Sequence, residues 1–184
     1  MPRLRRLERA PRVPAAVAAI AGLGGRDRLL AAAPAGQGWV LAGTVSLCWV
    51  DEDGALAGRR PWHAIDRGAW DRDTATLTVS WVDGSLPSRW RLTDAADLLL
   101  VLRERVQASV VAAETVRLPG GQIARAVIRQ DLATRQPFAQ LVAAPGLRGE
   151  STLEAAAAAA FARLWDDIGM PPRAPRSTPD GAPG

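Results

Sequence analysis

Apolar and polar residues alternate through most of residues 26–92, and this two-residue period predicts β-strands. Turn sequences such as DEDG (51–54) and DGSLPS (83–88) separate the apolar runs. Strands this closely spaced predict an antiparallel sheet or a small barrel. One run, GWVLAGTVSLCWV, predicts a single apolar sheet face that consists of Trp39, Leu41, Val45, Leu47 and Trp49.

The same alternation predicts that the seven tryptophans are core residues rather than platforms on which nucleic-acid bases stack. Most of them share strand parity with aliphatic neighbours. In RRPWHAI (59–65), read as a short strand, Trp62 points inward and His63 points toward solvent. Nucleic-acid binding through this sheet is therefore not expected.

A period of three to four residues predicts helices at other places. The clearest helix is 94–113, which Thr93 or Asp94 can cap. Its buried face is predicted to consist of Leu98, Leu102, Val106 and Val110. A short N-terminal helix, ended by the pair Gly24–Gly25, is indicated by the spacing of Val13, Val17 and Ile20.

The pattern beyond residue 113 predicts a second, smaller region. IARAVIR (123–129) and QPFAQLVAAPG (136–146) predict a β-hairpin. A final helix begins at the capping-box sequence STLE (151–154) and ends at Gly169. Its buried stripe is predicted to consist of Leu153, Phe161, Leu164, Trp165 and Ile168.

These patterns predict an α+β fold: a bent antiparallel β-barrel with a packed helix, followed by a β-hairpin and a C-terminal helix. Residues 1–25 form a basic segment with a short helix, and 26–113 form the barrel with its helix. Residues 114–170 form the hairpin and the last helix, packed on or beside the barrel. The Pro-rich tail, 171–184, is predicted to be disordered.

Composition changes how the basic character of the chain is interpreted. All 23 basic residues are arginine, and lysine, asparagine and tyrosine are absent, which indicates a high-GC bacterial genome. The pI near 11.0 follows from this composition and is not evidence for nucleic acid. Residues 1–28 contain seven arginines and two acids (7 − 2 = +5), whereas the remainder contains sixteen arginines and seventeen acids (16 − 17 = −1). The excess positive charge is therefore N-terminal.

Two groups of arginines are candidates for binding an anion or a partner. The first group, Arg3, Arg5, Arg6 and Arg9, has the charge to bind an anionic membrane surface or RNA. The second is the pair Arg59 and Arg60, which we place at one open end of the barrel. The alternative for this pair is a solvated position beside the acidic residues of the DEDG turn.

The sequence offers little to support catalysis. A single Cys48 excludes an intramolecular disulfide and a multi-cysteine metal site, and a single histidine excludes a His-rich site. His63 with Asp66 is the one acid–base candidate, but no nucleophile motif, phosphate loop or dinucleotide fingerprint accompanies it. We therefore expect no enzyme and no cofactor, and a small-molecule substrate is not expected. No apolar stretch reaches the roughly 20 residues of a membrane span, and we expect a cytoplasmic protein.

The strand order resembles the bacterial pleckstrin-homology-like and GRAM-type barrels, most closely a family of uncharacterised proteins from high-GC, actinobacterial-type bacteria. The resemblance spans residues 26–150. It rests on the helix sequence RERVQASVV (103–111) and on Pro61, Trp62, Ile65, Asp66, Trp70, Asp71, Arg72, Asp73, Thr74, Leu77 and Val79.

The resemblance implies a bent barrel closed at one end by a helix, but it implies no particular ligand. Barrels of this kind bind lipid headgroups through a basic loop between their first strands, bind peptides, or act as scaffolds. The corresponding loop here, APAGQG (33–38), contains no basic residue. We therefore expect a non-enzymatic interaction or scaffold protein whose partner is another protein, with an anionic membrane surface as a further partner. A nucleic-acid-associated protein that uses the N-terminal arginines is the alternative.

Overall fold

The computed structural model describes residues 13–144 and 151–171. Within these ranges the chain folds into three antiparallel sheets with helices packed on them, which confirms the α+β class. The α-helices are α1 (Ala15–Ile20), α2 (Ala96–Ala108) and α3 (Ser151–Asp167). The strands are β1 (Leu29–Ala35), β2 (Gly38–Gly43), β3 (Ser46–Val50), β4 (Leu56–Pro61), β5 (Ile65–Asp71), β6 (Thr76–Trp81), β7 (Ser88–Arg91), β8 (Val110–Arg117), β9 (Ile123–Gln130) and β10 (Pro137–Val142).

The first sheet is a meander in the order β1-β2-β3-β4. Short turns join its strands. In the turn between β1 and β2, Gly36 supplies the positive φ of 63° that the turn requires. The DEDG sequence forms the turn between β3 and β4, where the N–H of Gly54 donates to the carbonyl of Asp51. The sequence therefore predicted these turns correctly.

The two tryptophans at the ends of GWVLAGTVSLCWV face opposite sides of the first sheet, which corrects the single apolar face predicted above. Ala42 pairs with Leu47, so only two residues, Thr44 and Val45, form the turn between β2 and β3. A two-residue turn inverts the parity of the next strand. Trp39 therefore packs on the outer face with α1, and Trp49 packs on the inner face.

The second sheet, in the order β5-β6-β7, and helix α2 complete the first unit, which we define as residues 29–108. Its core lies between the inner faces of the two sheets and α2. Leu98 and Leu102 of α2 are buried there, as the helical period predicted. The fully buried side chains that fill the core include Val40, Leu47, Trp62, Ile65, Leu77, Val79 and Leu92.

Backbone hydrogen bonds connect the two sheets of the first unit at one corner. An isolated bridge joins Ala35 at the end of β1 to Leu92, just after β7, and the N–H of Thr93 donates to the carbonyl of Pro34 at 3.1 Å. The sheets otherwise remain separate hydrogen-bonded ladders. Within the described ranges, the strands therefore form no closed barrel.

Helix α2 is shorter than the predicted 94–113. It ends at Ala108, where Ser109 Oγ donates to the carbonyl of Val106 at 2.7 Å. Val110 then starts β8 and is 38% exposed, so its predicted place on the buried helix face is wrong. β-Branched residues prefer extended backbone, which explains the change of structure at this point. No side chain hydrogen-bonds the helix start, so the predicted cap is also wrong.

The third sheet, in the order β10-β9-β8, and α3 form the second unit, residues 110–167. The predicted hairpin (β9 and β10) is confirmed, but β8 adds a third strand that the sequence did not reveal. Helix α3 begins at Ser151, as predicted, and Gly169 follows it with a φ of 66°. Leu153, Leu164 and Trp165 are buried against the sheet, while Phe161 and Ile168 pack at the margin, in agreement with the predicted stripe.

The short helix α1 packs on the outer face of the first sheet. Val13 and Val17 contact that face, whereas Ile20 is 43% exposed and Ala21 is buried. The helix ends at Ile20 rather than at Gly24, because Gly22 already has a φ of 62°. Helix α1 and the residues that flank it thereby cover part of the outer face.

Arg129 joins the two units from the end of β9, one residue before the strand ends at Gln130. Its side chain is buried and donates to Ser109 Oγ at 2.8 Å and to the carbonyl of Ile65 at 2.9 Å. Burial lowers the pKa of this guanidinium to about 10, and the nearby charge of Arg125 acts in the same direction. Arg129 is therefore still charged at neutral pH, and it holds β9 against the start of β5.

Candidate functional site

The candidate arginines Arg59 and Arg60 lie on opposite faces of β4, as adjacent strand residues must. Arg59 pairs with Cys48 in the register and faces the side of the sheet on which α1 lies. Arg60 pairs with Leu47 and faces the inner side. The structure therefore separates two residues that the sequence analysis treated as one pair.

Arg59 belongs to a compact polar cluster with Asp27, Ser46 and Cys48, which we call the Asp27 cluster. Arg59 Nη2 donates to Asp27 Oδ2 at 2.6 Å, and its Nε donates to Ser46 Oγ at 3.1 Å. Ser46 Oγ donates to the same carboxylate oxygen at 2.5 Å. The other carboxylate oxygen accepts the N–H of Val45 at 2.9 Å. Asp27 is only 6% exposed at its side chain, so this carboxylate is almost completely satisfied inside the protein.

Gly43 leaves room for the carboxylate of the Asp27 cluster. A Cβ atom on Gly43 would lie 2.2 Å from Asp27 Oδ1, so only glycine fits there. Burial raises the pKa of the Cys48 thiol, although the hydrogen bond with Ser46 and the charge of Arg59 partly oppose this effect. A protonated, buried thiol is a poor nucleophile. The cluster therefore ties the segment before β1 to the sheet and offers no reactive group.

Arg60 is also bound within the protein. Its Nη1 donates to Asp83 Oδ2 at 2.6 Å, and its guanidinium lies 4.6 Å from the ring centroid of Trp81. Burial acts to raise the pKa of Asp83, but hydrogen bonds from Ser85 and Arg60 outweigh it and hold the pKa below its usual value. Neither Arg60 nor Arg59 occupies the solvated position beside the DEDG turn. The other candidate arginines, Arg3, Arg5, Arg6 and Arg9, lie outside the described residues.

His63 and Asp66, the one acid–base candidate, both contact the second unit. His63 is not in a strand but in a single 3₁₀ turn that links β4 to β5. Its half-buried ring lies edge-on to Phe138, with ring centroids 4.9 Å apart, which corrects the predicted solvent-facing position. Asp66 forms an ion pair with Arg125. These contacts give both side chains a place in the junction between the units.

A groove of about 330 Å³ runs between β5 and α2, and we call it the β5 groove. Its floor and helical wall are mostly apolar, because the core between sheet and helix reaches the surface here. Leu99, Leu102 and Val106 come from one face of α2. The remaining lining residues are Asp66, Arg67, Gly68, Ala69, Trp70, Leu77, Arg103 and Gln107.

The strand that borders this groove is an edge strand. β5 pairs with β6 on one side, and the described residues supply no ladder partner on the other. Such an edge presents unpaired backbone N–H and C=O groups to a new strand. Gly68 lets Leu102 of α2 pack closely on the strand, since a Cβ atom there would lie 2.9 Å from Leu102 Cδ2. The groove thus combines a free strand edge with an apolar slot.

A bulge at the start of β5 gives two adjacent residues different partners. Ile65 pairs with Trp81 and Arg67 pairs with Ser80, so Asp66 is an extra residue in the ladder. Asp66 turns to Arg125 in the second unit, while Arg67 stays exposed at the groove. The bulge therefore separates a junction contact from a groove residue.

Two arginines at the mouth of the groove have no ion pair with the described residues: Arg67 on β5 and Arg103 on α2. Sequence analysis missed them because Arg67 lies in a stretch of mixed charge, residues 59–73, with four arginines and three aspartates. The spacing of Arg103, four residues after Leu99 and three before Val106, was the available signal that it shares their helix face. These two arginines are the uncompensated charges of the groove.

A second crevice, of about 370 Å³, lies between the units and is lined in part by the paired Asp66 and Arg125. Across the described ranges no group of three or more potential metal-ligating side chains occurs. No helix there is long and apolar enough to cross a membrane. Comparison with known proteins finds no matching family model, curated protein or solved structure.

Proposed function

We propose that this chain is a non-enzymatic interaction protein and that its β5 groove binds an extended segment of another protein. The supporting observation is the unpaired edge of β5 beside the apolar face of α2. A peptide that adds a strand to such an edge gains main-chain hydrogen bonds, and alternate side chains enter the adjacent slot. The groove volume is at the low end for small-molecule sites, about 300–1,000 Å³, and suits one or two side chains.

The first unit is, in this proposal, a pleckstrin-homology-like barrel. Seven strands followed by a helix, and the bridge between Ala35 and Leu92, support this arrangement. The turn between β1 and β2 consists of Gly36 and Gln37, so it carries no cation for a lipid headgroup. Binding at β5 therefore fits this chain better than headgroup binding at that turn.

Site-specific photo-cross-linking tests the proposal. Benzoylphenylalanine is placed at Ala69, which lines the groove, and at Ala158, an exposed alanine of α3, as the matched control. We expect adducts from native-host lysate at Ala69 only. The cross-linked segment is then mapped by mass spectrometry and synthesised, and it should slow hydrogen exchange of β5 amides between residues 67 and 71. Equal adducts at both positions, or an unprotected β5, would contradict the proposal.

The alternative function rests on Arg3, Arg5, Arg6 and Arg9 and has its own test. Deleting residues 1–12 should weaken binding to anionic vesicles and make it less sensitive to salt, if these arginines bind a membrane. Loss of RNA binding instead would support the nucleic-acid-associated alternative. Unchanged affinity for both would exclude both roles of this segment.

A further inference from the structure

The charges at the mouth of the β5 groove indicate what kind of segment it binds. Arg67 and Arg103 stand on opposite walls, one on the strand and one on the helix, and both are exposed. Asp66 is the acidic residue of the lining, and Arg125 already binds it. The groove therefore presents two cations whose charge the described residues leave uncompensated.

Four other described arginines show how the protein binds a paired arginine. Arg59, Arg60, Arg125 and Arg163 each form an ion pair with a carboxylate. In the case of Arg163, both Nε and Nη2 donate to Glu114, the bidentate geometry that a carboxylate favours. Arg67 and Arg103 form no such ion pair with the described residues, and both line the groove that borders the open edge of β5.

We propose that the partner segment is acidic, and this inference rests on the proposed function above. Asp or Glu residues of the partner bind Arg67 and Arg103 at the mouth of the groove, and a neighbouring large apolar side chain enters its apolar slot. The carboxylates of the partner supply the charge that the groove lacks.

Strand geometry fixes where the acidic residue stands in the partner. Gly68 lies against Leu102 and Trp70 packs on the core, so these two positions face the slot. Arg67 has the opposite parity and is exposed. In an added strand, successive side chains alternate between the same two faces. In the partner segment, the acidic residue that binds Arg67 therefore directly precedes or follows the apolar residue. An acidic residue that binds Arg103 faces the slot and is two positions from the apolar residue.

Selection from a phage-displayed library of random 12-residue peptides on the immobilised full chain tests this inference. We expect enrichment of Asp and Glu at one or two positions from a large apolar residue. The charge-reversal variant Arg67→Glu with Arg103→Glu should select Lys or Arg there instead. The matched control is Arg89→Glu with Arg91→Glu, two exposed arginines of β7, and it should keep the acidic preference.

The affinity of a selected acidic peptide should fall about tenfold or more in the groove variant and remain unchanged in the control. Circular dichroism of each variant verifies that it is folded. Peptides selected without acidic enrichment, or the same enrichment in the reversal variant, would overturn the charge inference and leave the proposed function standing. Binding of a phosphoserine peptide but not of its Glu counterpart would also overturn it. If no peptide is selected and Ala69 gives no specific adduct, the proposed function fails as well.

Discussion

Arg59 and Arg67 are both strand arginines of the first unit, yet their surroundings differ completely. Arg59 donates to Asp27 and Ser46 in a cluster whose carboxylate is buried. Arg67 is exposed beside an open groove and has no ion pair with the described residues. The comparison shows that the role of an arginine depends on whether the folded chain places a carboxylate next to it. The Asp27 cluster is self-contained and structural, whereas the β5 groove lacks a counter-charge and is suited to binding.

The largest effect in this comparison is expected from Asp27→Ala. Removing the carboxylate leaves Arg59, Ser46 and the N–H of Val45 without their acceptor in a buried site. We expect a loss of about 2–4 kcal/mol in the free energy of unfolding. Urea denaturation measures it, with Asp53→Ala in the exposed turn as the control. A loss as small as that of the control would mean that the cluster does not stabilise the fold.

A smaller loss is expected from Arg129→Ala, which removes a buried arginine without a carboxylate contact. The carbonyl of Ile65 and Ser109 Oγ lose a donor, but the desolvation cost of the cation is also removed. We therefore expect about 2 kcal/mol. Hydrogen exchange of β9 should accelerate along with the change in urea midpoint. An unaltered β9 would contradict the role of Arg129 as the contact between the units.

Asp83→Asn tests the pairing of Arg60 and should show a pH dependence. The pKa of Asp83 is held below its usual value, so its stabilisation is present above the unfolded-state pKa of 3.8. It is lost as the pH falls through the lower folded-state pKa. We expect the variant to be about 1 kcal/mol less stable at pH 7. Urea midpoints should converge with those of the wild type near pH 2, and a constant difference would contradict the ionic role.

The smallest effect on stability is expected from Arg67→Ala combined with Arg103→Ala. Neither side chain has an ion pair to lose, so the free energy of unfolding should change by no more than about 0.5 kcal/mol. The melting temperature measures this, and the cross-linking yield at Ala69 measures the groove. A large loss of stability would place these arginines with Arg59 rather than in a binding site.

The sequence predicted much of the fold because alternation and turn residues are local signals. Helix α3 and the hairpin of β9 and β10 followed from period and capping alone. The faces of Trp39 and Trp49 were wrong, since parity depends on a turn whose length the pattern does not reveal. Strand β8 was missed because its valines continue an apolar helical spacing.

The candidate site was less accessible to sequence reasoning, because the role of an arginine depends on a partner far along the chain. Arg59 meets Asp27 across 32 positions, and Arg125 meets Asp66 across 59. Arg67 and Arg103 became candidates only once the fold had placed both of them at the β5 groove. The predicted binding pair, Arg59 and Arg60, and the candidate His63 and Asp66 thus all contact residues that are distant in the sequence.

The β-bulge at Asp66 has a consequence for how the sequence of this protein can evolve. One extra residue lets a single strand serve two purposes, since Asp66 holds the second unit and Arg67 faces the groove. In the proposed function, substitutions at Arg67 or Ala69 would alter partner choice and leave the contact between Asp66 and Arg125 in place. Deletion of Asp66 would remove the contact with Arg125 and leave Ile65 and Arg67 opposite Trp81 and Ser80 in a regular ladder. If β5 binds a partner as proposed, the bulge lets the residue that selects the partner vary separately from the residue that holds the two units together.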